Sequence, residues 1–179
     1  NFDQPFYELE GKTWGIVGYG NIGKKVAQIA EAFGCKVLYY RAKADENACD
    51  MDTLCHQSDI ISLHCPLNDG TRNLISRERL ALMKPGAILV NTARGAVCDE
   101  AAVAEAILSE RLGAFGCDVY AQEPFPADHP YRAILGRDNV CLTPHIAWAP
   151  VESRQRLLNC VVENIRCFLA GTPQNVVNP

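Results

Sequence analysis

The sequence predicts an α/β fold, a doubly wound parallel sheet of about six strands with helices on both faces. Three observations carry that prediction. Short apolar runs alternate along the chain with segments of helical periodicity. The runs are the compact, largely apolar kind that a strand covered on both faces needs. A glycine-rich turn closes the first of them and opens the first helix.

Residues 14–18 (WGIVG) form the first strand, closed by glycine. Residues 24–33 place Val26, Ala27, Ile29, Ala30 and Phe33 at helical spacing, and Gly34 ends that helix. Residues 36–40 are a second strand, 51–55 a short helix, and 59–64 (DIISLH) a third strand. Beyond the turn at 66–70, residues 77–83 read as a helix stopped by Pro85-Gly86, and 87–91 (AILVN) as the next strand. Residues 99–110 form a helix with Asp99 and Glu100 favourably placed at its positive end. A glycine-interrupted strand at 112–119 leads into a loop carrying Pro124, Pro126 and Pro130. A short strand at 139–142 and a long helix at 151–169 complete the order. Strand–helix alternation of this kind forces parallel pairing with helices on both faces.

With 179 residues, 48% of them hydrophobic, one domain with a real core is expected. A net charge of −4 argues against nucleic-acid or membrane-surface partners. No apolar run approaches the roughly 18 residues of a membrane span, and no signal-peptide pattern opens the chain. The first residue is Asn1, so a piece of a longer protein is expected. Nine cysteines contain no C-x-x-C pair, and Cys55-His56 and His64-Cys65 lack the spacing of a zinc clip. No metal is expected, and the compartment expected is reducing, hence cytoplasmic.

Gly18-Tyr19-Gly20-Asn21-Ile22-Gly23 matches G-x-G-x-x-G. Following a strand and opening a helix, it predicts a Rossmann-type dinucleotide site rather than a turn that binds nothing. Gly18 permits the tight turn, Gly20 lets amides approach a pyrophosphate, and Gly23 lets helix and strand pack closely. The helix N-terminus offers free N–H groups and a positive dipole end to the phosphates. Where NAD enzymes carry an acid after the second strand, this sequence has Arg41, with Lys43 close behind. Arg41 could pair with a ribose 2′-phosphate, which tilts the expectation from NAD toward NADP. Asp45 and Glu46 lie near enough for a loop shift to bring one in, and Arg41 would then be a solvated loop charge.

Arg94, Glu123 and His145 follow three later strands, at the carboxyl ends where open sheets bind ligands. Reduction of a 2-keto acid needs a cation for carboxylate and ketone, which Arg94 offers, and an acid/base near neutrality, which His145 offers. Glu123 would favour and orient the imidazolium. By spacing alone these remain ordinary surface charges.

Five motifs in order carry a resemblance: residues 11–27 (GKTWGIVGYGNIGKKVA), 59–75 (DIISLHCPLNDGTRNLI), 83–103 (MKPGAILVNTARGAVCDEAAV), 113–124 (GAFGCDVYAQEP) and 142–150 (LTPHIAWAP). The chain resembles the cofactor domain of the D-isomer-specific 2-hydroxyacid dehydrogenases, nearly end to end. The resemblance implies Arg94 as the binder of substrate carboxylate and carbonyl, His145 as general acid/base and Glu123 as its partner. It implies Asp118 near the nicotinamide carboxamide. Cofactor contacts are implied from Tyr19, Asn21, Ile22, His64, Cys65, Pro66, Thr71, Thr92, Ala93, His145 and Ala147. Thr71 and Pro66 have turn formation as their simple alternative. HIAWAP and the ending FLAGTPQNVVNP resemble glycerate dehydrogenases (hydroxypyruvate reductases), so hydroxypyruvate, D-glycerate or glyoxylate is the expected substrate. Trp148 could trim the space for a substrate side chain, or serve core packing or a dimer contact.

The resemblance also implies residues 11–170 as the NAD(P)-binding domain, with 1–10 and 171–179 as stubs of a substrate domain whose larger part is missing. Little or no turnover by the chain alone is therefore expected. A homodimer is implied. The alternative reading is a non-enzymatic NAD(H)-sensing module like the corepressors that share this fold. A methyltransferase would leave Arg94, Glu123 and His145 without a task.

Overall fold

The computed structural model describes residues 6–43 and 45–177. Of the expected flanking segments 1–10 and 171–179, residues 1–5 and 178–179 lie outside the described residues. The described elements run β1 Thr13–Val17, α1 Asn21–Ala32, β2 Lys36–Tyr40, α2 Met51–Gln57, β3 Ile60–Leu63, α3 Arg77–Leu82, β4 Ala87–Asn91, α4 Glu100–Leu108, β5 Leu112–Cys117, β6 Val140–Leu142 and α5 Val151–Leu169. Two 3₁₀ turns, Gly95–Val97 and Pro130–Ile134, add to them. The chain divides into two compact units, one ending at Pro144 and one beginning at His145.

In the first unit all six strands pair in parallel, in the order β2-β1-β3-β4-β5-β6. The chain steps outward from β1 to β2, then returns past β1 to β3. That reversal puts a topological switch point between β1 and β3, where an open α/β sheet leaves a crevice at its carboxyl edge. Neighbouring residues of β1 face opposite ways. Gly15 faces Leu54 of α2, whereas Ile16 faces Gly23 of α1, so helices cover both faces of the sheet. The core runs from Val17, Ile61, Leu63 and Leu89 through Val103 and Ile107 to Phe115 and Tyr131.

Helices α2, α3 and α4 start on side-chain caps, Asp50 to Thr53 N–H, Ser76 to Arg79 N–H and Asp99 to Ala102 N–H. Each also carries an acid in its first turn. Helix α1 has neither. It also begins at Asn21, ahead of the expected 24–33, because the second half of the glycine loop is its first turn.

All nine thiols are free. Cys55, Cys98 and Cys117 are buried, and burial pushes the Cys55 thiol up to about 11 and that of Cys117 to about 12, with Cys98 raised well above its usual range. Cys141 and Cys160 are exposed. Among the described residues no three His, Cys, Asp or Glu side chains cluster as a metal would need, and no helix is long and apolar enough to cross a membrane.

The second unit is dominated by α5, none of whose residues is buried. Leu157, Leu158, Val161, Val162 and Ile165 are all exposed.

Candidate functional site

Gly18 lies at φ 97°, in the left-handed region that favours glycine, and a Cβ there would come 2.6 Å from the Cys65 amide nitrogen. The loops after β1 and β3 therefore touch through Gly18, at the switch point. At Gly23 a Cβ would strike the Gly18 carbonyl oxygen at 2.1 Å. Both glycines are demanded by the fold itself. Gly20 is different: its backbone is extended, and a Cβ would meet nothing within 4 Å. The fold does not need glycine there, whereas a ligand lying against the loop would. The uncapped, acid-free N-terminus of α1 begins at the next residue, where N–H groups and dipole favour an anion.

Two adjoining grooves meet at residues 64–66. One, of about 260 Å³, is lined by Gly18, Tyr19, Gly20, Arg41, His64–Pro66 and Thr71. The other, of about 460 Å³, is lined by Ile22, His64–Pro66, Thr92, Ala93 and Arg94. Together they gather most of the residues expected to hold a dinucleotide, and Gly20 lines the first of them.

His64 is fixed from below. The Trp14 indole donates to Ser62 Oγ at 2.9 Å, and the same hydroxyl pairs with His64 Nε2 at 3.0 Å. Burial lowers the His64 pKa below 6.5. Thr71 takes the turn-forming role. Its hydroxyl donates to the Pro66 carbonyl at 2.6 Å and accepts from Asn68 N–H at 2.8 Å.

At the edge of the first groove Arg41 Nη1 lies 3.0 Å from Asp45 Oδ2. Asp45 Oδ1 accepts from the Tyr39 hydroxyl at 2.6 Å and from Asn47 N–H at 3.2 Å. The Tyr39 bond is the main cause holding the Asp45 carboxyl below its usual range, and it pushes Tyr39 up to about 12. Tyr39 in turn stacks on Tyr19 of the glycine loop, centroids 3.7 Å apart and rings 9° from parallel. The sequence showed Tyr39 merely as a strand residue; its pairing with Asp45 depends on how the loop after β2 folds back.

Arg94 ends the segment after β4 and donates to the Ala93 carbonyl at 2.6 Å. The fully buried Asn91 holds that segment, accepting from Ala93 N–H and donating to the Arg94 carbonyl, both at 3.0 Å. Asn91 was not among the expected site residues, although a polar residue ending an apolar strand was a usable signal. Asp118 is buried after β5 and accepts from the Thr143 hydroxyl at 2.5 Å. Glu123 Oε1 accepts from Tyr120 N–H at 2.8 Å. The Glu123 loop and the Arg94 loop meet at Gly95, where a Cβ would fall 1.9 Å from the Tyr120 carbonyl carbon.

His145 and Ala147 belong to the second unit. His145 holds φ 54°, an unusual backbone for a residue with a side chain. The Trp148 indole donates to the His145 carbonyl at 2.8 Å while the ring itself is 60% exposed. Core packing is therefore not what Trp148 does in this structure.

Residues 2–147 match the family model described as the D-isomer specific 2-hydroxyacid dehydrogenase, NAD binding domain. A glycerate dehydrogenase of Methylorubrum extorquens is 46% identical over 98% of this chain and 56% of its own length. A hydroxypyruvate reductase of Blautia hydrogenotrophica is 44% identical over 99% of this chain and 56% of its own. The D-lactate dehydrogenase with NAD+ from Lactobacillus jensenii superposes with a TM-score of 0.91 at 33% identity, covering all of this chain and 60% of that one. The chain thus spans about half the length of the curated relatives it matches.

Proposed function

Because the chain belongs to the D-isomer specific 2-hydroxyacid dehydrogenases, through that family's NAD binding domain, we propose that it holds a nicotinamide dinucleotide across the β1/β3 switch point for oxidation and reduction of a small 2-hydroxy/2-keto acid. The observation that carries this is Gly20, a glycine the fold does not require, lining the first groove at the bare N-terminus of α1. The bound coenzyme supplies or accepts the hydride. Arg94 binds the substrate carboxylate as a bidentate donor. Its guanidinium also polarises the ketone in the direction of reduction. His145 is the acid/base that gives or takes the proton at the substrate oxygen, and Glu123 is its supporting carboxylate. Asp118, which accepts from the Thr143 hydroxyl, would hold the carboxamide end of the coenzyme.

The glycerate dehydrogenase and hydroxypyruvate reductase among the relatives support hydroxypyruvate/D-glycerate as the substrate pair, with glyoxylate as the smaller analogue. Arg41 and Lys43 at the first groove support NADP over NAD, subject to the hold that Asp45 has on Arg41. The exposed apolar residues of α5 are available for a homodimer contact. Nine free thiols suit a reducing cytoplasm.

Two measurements test this function. Titrating the chain with NADH and with NADPH, followed by nucleotide fluorescence, should give saturable binding of at least one. The full-length protein should then reduce hydroxypyruvate or glyoxylate. Failure of both coenzymes to bind would refute the dinucleotide site; binding without turnover of any 2-keto acid would refute the enzyme.

A further inference from the structure

A largely buried histidine–glutamate pair lies beside the proposed chemistry without taking part in it. His129 and Glu100 meet at 3.0 Å, His129 Nε2 to Glu100 Oε2, with side chains only 4% and 13% exposed. The ring's other nitrogen, Nδ1, accepts from Tyr131 N–H at 3.2 Å and caps the 3₁₀ turn Pro130–Ile134. With Nδ1 accepting, Nε2 carries the hydrogen and donates to Glu100. The second oxygen of Glu100 accepts from Ala121 N–H at 2.9 Å.

One carboxylate on the first turn of α4 thus grips both ends of the loop that bears Glu123, at Ala121 before it and at His129 after it. Just before the first of those points, Tyr120 N–H donates to Glu123 Oε1 itself. The ring of Phe125 lies 4.8 Å from that of His129 and 4.9 Å from that of Tyr120, filling the space inside the loop. The grip also has a surface to press on. Tyr120 and Ala121 lie against Gly95, where a Cβ would come 2.1 Å from the Ala121 nitrogen. Gly95 directly follows Arg94.

We propose that Glu100 and His129 are positioning residues that clamp the 120–129 loop onto Gly95, setting Glu123 at a fixed distance from the Arg94 segment. The inference rests on the reading of Glu123 and Arg94 given above. The stakes are geometric: acid/base support and substrate binding come from two loops, and sub-ångström errors between such groups are costly in rate. A carboxylate accepting one backbone and one imidazole N–H is a stiffer brace than apolar packing alone, because each bond has a preferred direction.

The test uses the full-length protein with Glu100→Ala, Glu100→Gln and His129→Asn, reading kcat, coenzyme Kd and hydrogen exchange at the Ala121 amide. In Glu100→Ala, Ala121 should exchange fast and kcat fall roughly 10- to 100-fold while coenzyme Kd stays within about twofold. Glu100→Gln keeps an acceptor for Ala121 and should lie between wild type and Glu100→Ala in both kcat and exchange. His129→Asn keeps an acceptor for Tyr131 N–H but loses Glu100, and should lower kcat with Ala121 still protected. Wild-type kcat and exchange in Glu100→Ala would overturn the clamp. So would a fall in kcat accompanied by equal loss of protection in the β1 and β3 strands, since that is plain destabilisation. If the wild type turns over no 2-keto acid, the proposed function falls; fast Ala121 exchange in Glu100→Ala then still supports the clamp, and unchanged exchange overturns it.

Discussion

Arg41 and Asp45 form an exposed ion pair, 3.0 Å apart, in which the cation proposed for a ribose 2′-phosphate already has an anion beside it. The Asp45 carboxylate is held there by Tyr39 and the Asn47 amide, so it does not simply swing away. An incoming 2′-phosphate must therefore take Arg41 from Asp45 and tolerate the carboxylate nearby.

Removing that competitor should favour the phosphorylated coenzyme. Asp45→Asn is expected to tighten NADPH binding roughly two- to fivefold, the modest scale of exposed charge pairs, with little effect on NADH. Arg41→Ala should weaken NADPH by about tenfold and leave NADH nearly unchanged, since a bidentate phosphate contact is lost. Fluorescence titration of both variants with both coenzymes checks this. An unchanged NADPH/NADH ratio in Arg41→Ala would return the arginine to solvent.

The glycine loop separates into positions that the fold demands and one that it does not. Gly20→Val should leave the melting temperature close to wild type, because its side chain enters open space. Dinucleotide affinity should nonetheless drop by at least about tenfold, as overpacking a contact does. Gly23→Val should instead destabilise the protein, its side chain colliding with the Gly18 carbonyl. Calorimetry beside coenzyme titration distinguishes the two; equal losses of stability would remove Gly20 as evidence for a ligand.

His64 gives the protein an acid sensitivity with a definite sign. In the unfolded chain the imidazole binds a proton near 6.5, whereas burial lowers that value in the folded protein. Just below 6.5 the unfolded state therefore holds more protons, so this contribution is complete above 6.5 and is lost as pH falls toward the folded value. Denaturant midpoints at about pH 7.5 and pH 5.5 should differ less in His64→Gln than in wild type. The same drop in both proteins would assign the acid response elsewhere.

Asn91 tests how the Arg94 segment is built. Asn91→Leu keeps the volume but leaves Ala93 N–H and the Arg94 carbonyl without the partner they have now. A loss of about 1–3 kcal/mol in unfolding free energy is expected, the scale for stranding polar groups at a buried position. Urea denaturation measures it. A neutral result would mean that water replaces the amide.

Much of the architecture was legible because it rests on local patterns. β4 and α5 fall at the expected 87–91 and 151–169, where apolar runs are bounded by clear stops. α1 begins earlier than its apolar periodicity suggests. Its first turn is set by glycine packing and carries no side-chain cap or acid, neither of which creates a hydrophobic repeat. The proline-rich stretch conceals a 3₁₀ turn whose cap is His129, since a short turn lacks the length for a periodic signal. The grooves around the glycine loop gather most of the expected cofactor residues. What stayed hidden were polar partnerships across long sequence separations: Glu100 with His129, Asp59 with Lys84, and Trp14 with Ser62. Such pairs are fixed by the sheet order, and composition and spacing carry no trace of them.

The uneven placement of the nine thiols makes the protein its own clock for opening. Alkylation depends on thiolate and access, so Cys141 and Cys160 should label quickly in the native protein, while Cys55, Cys98 and Cys117 wait for the core to part. The delay between the two groups, followed by mass spectrometry, would time the breathing of the sheet's interior without any introduced probe.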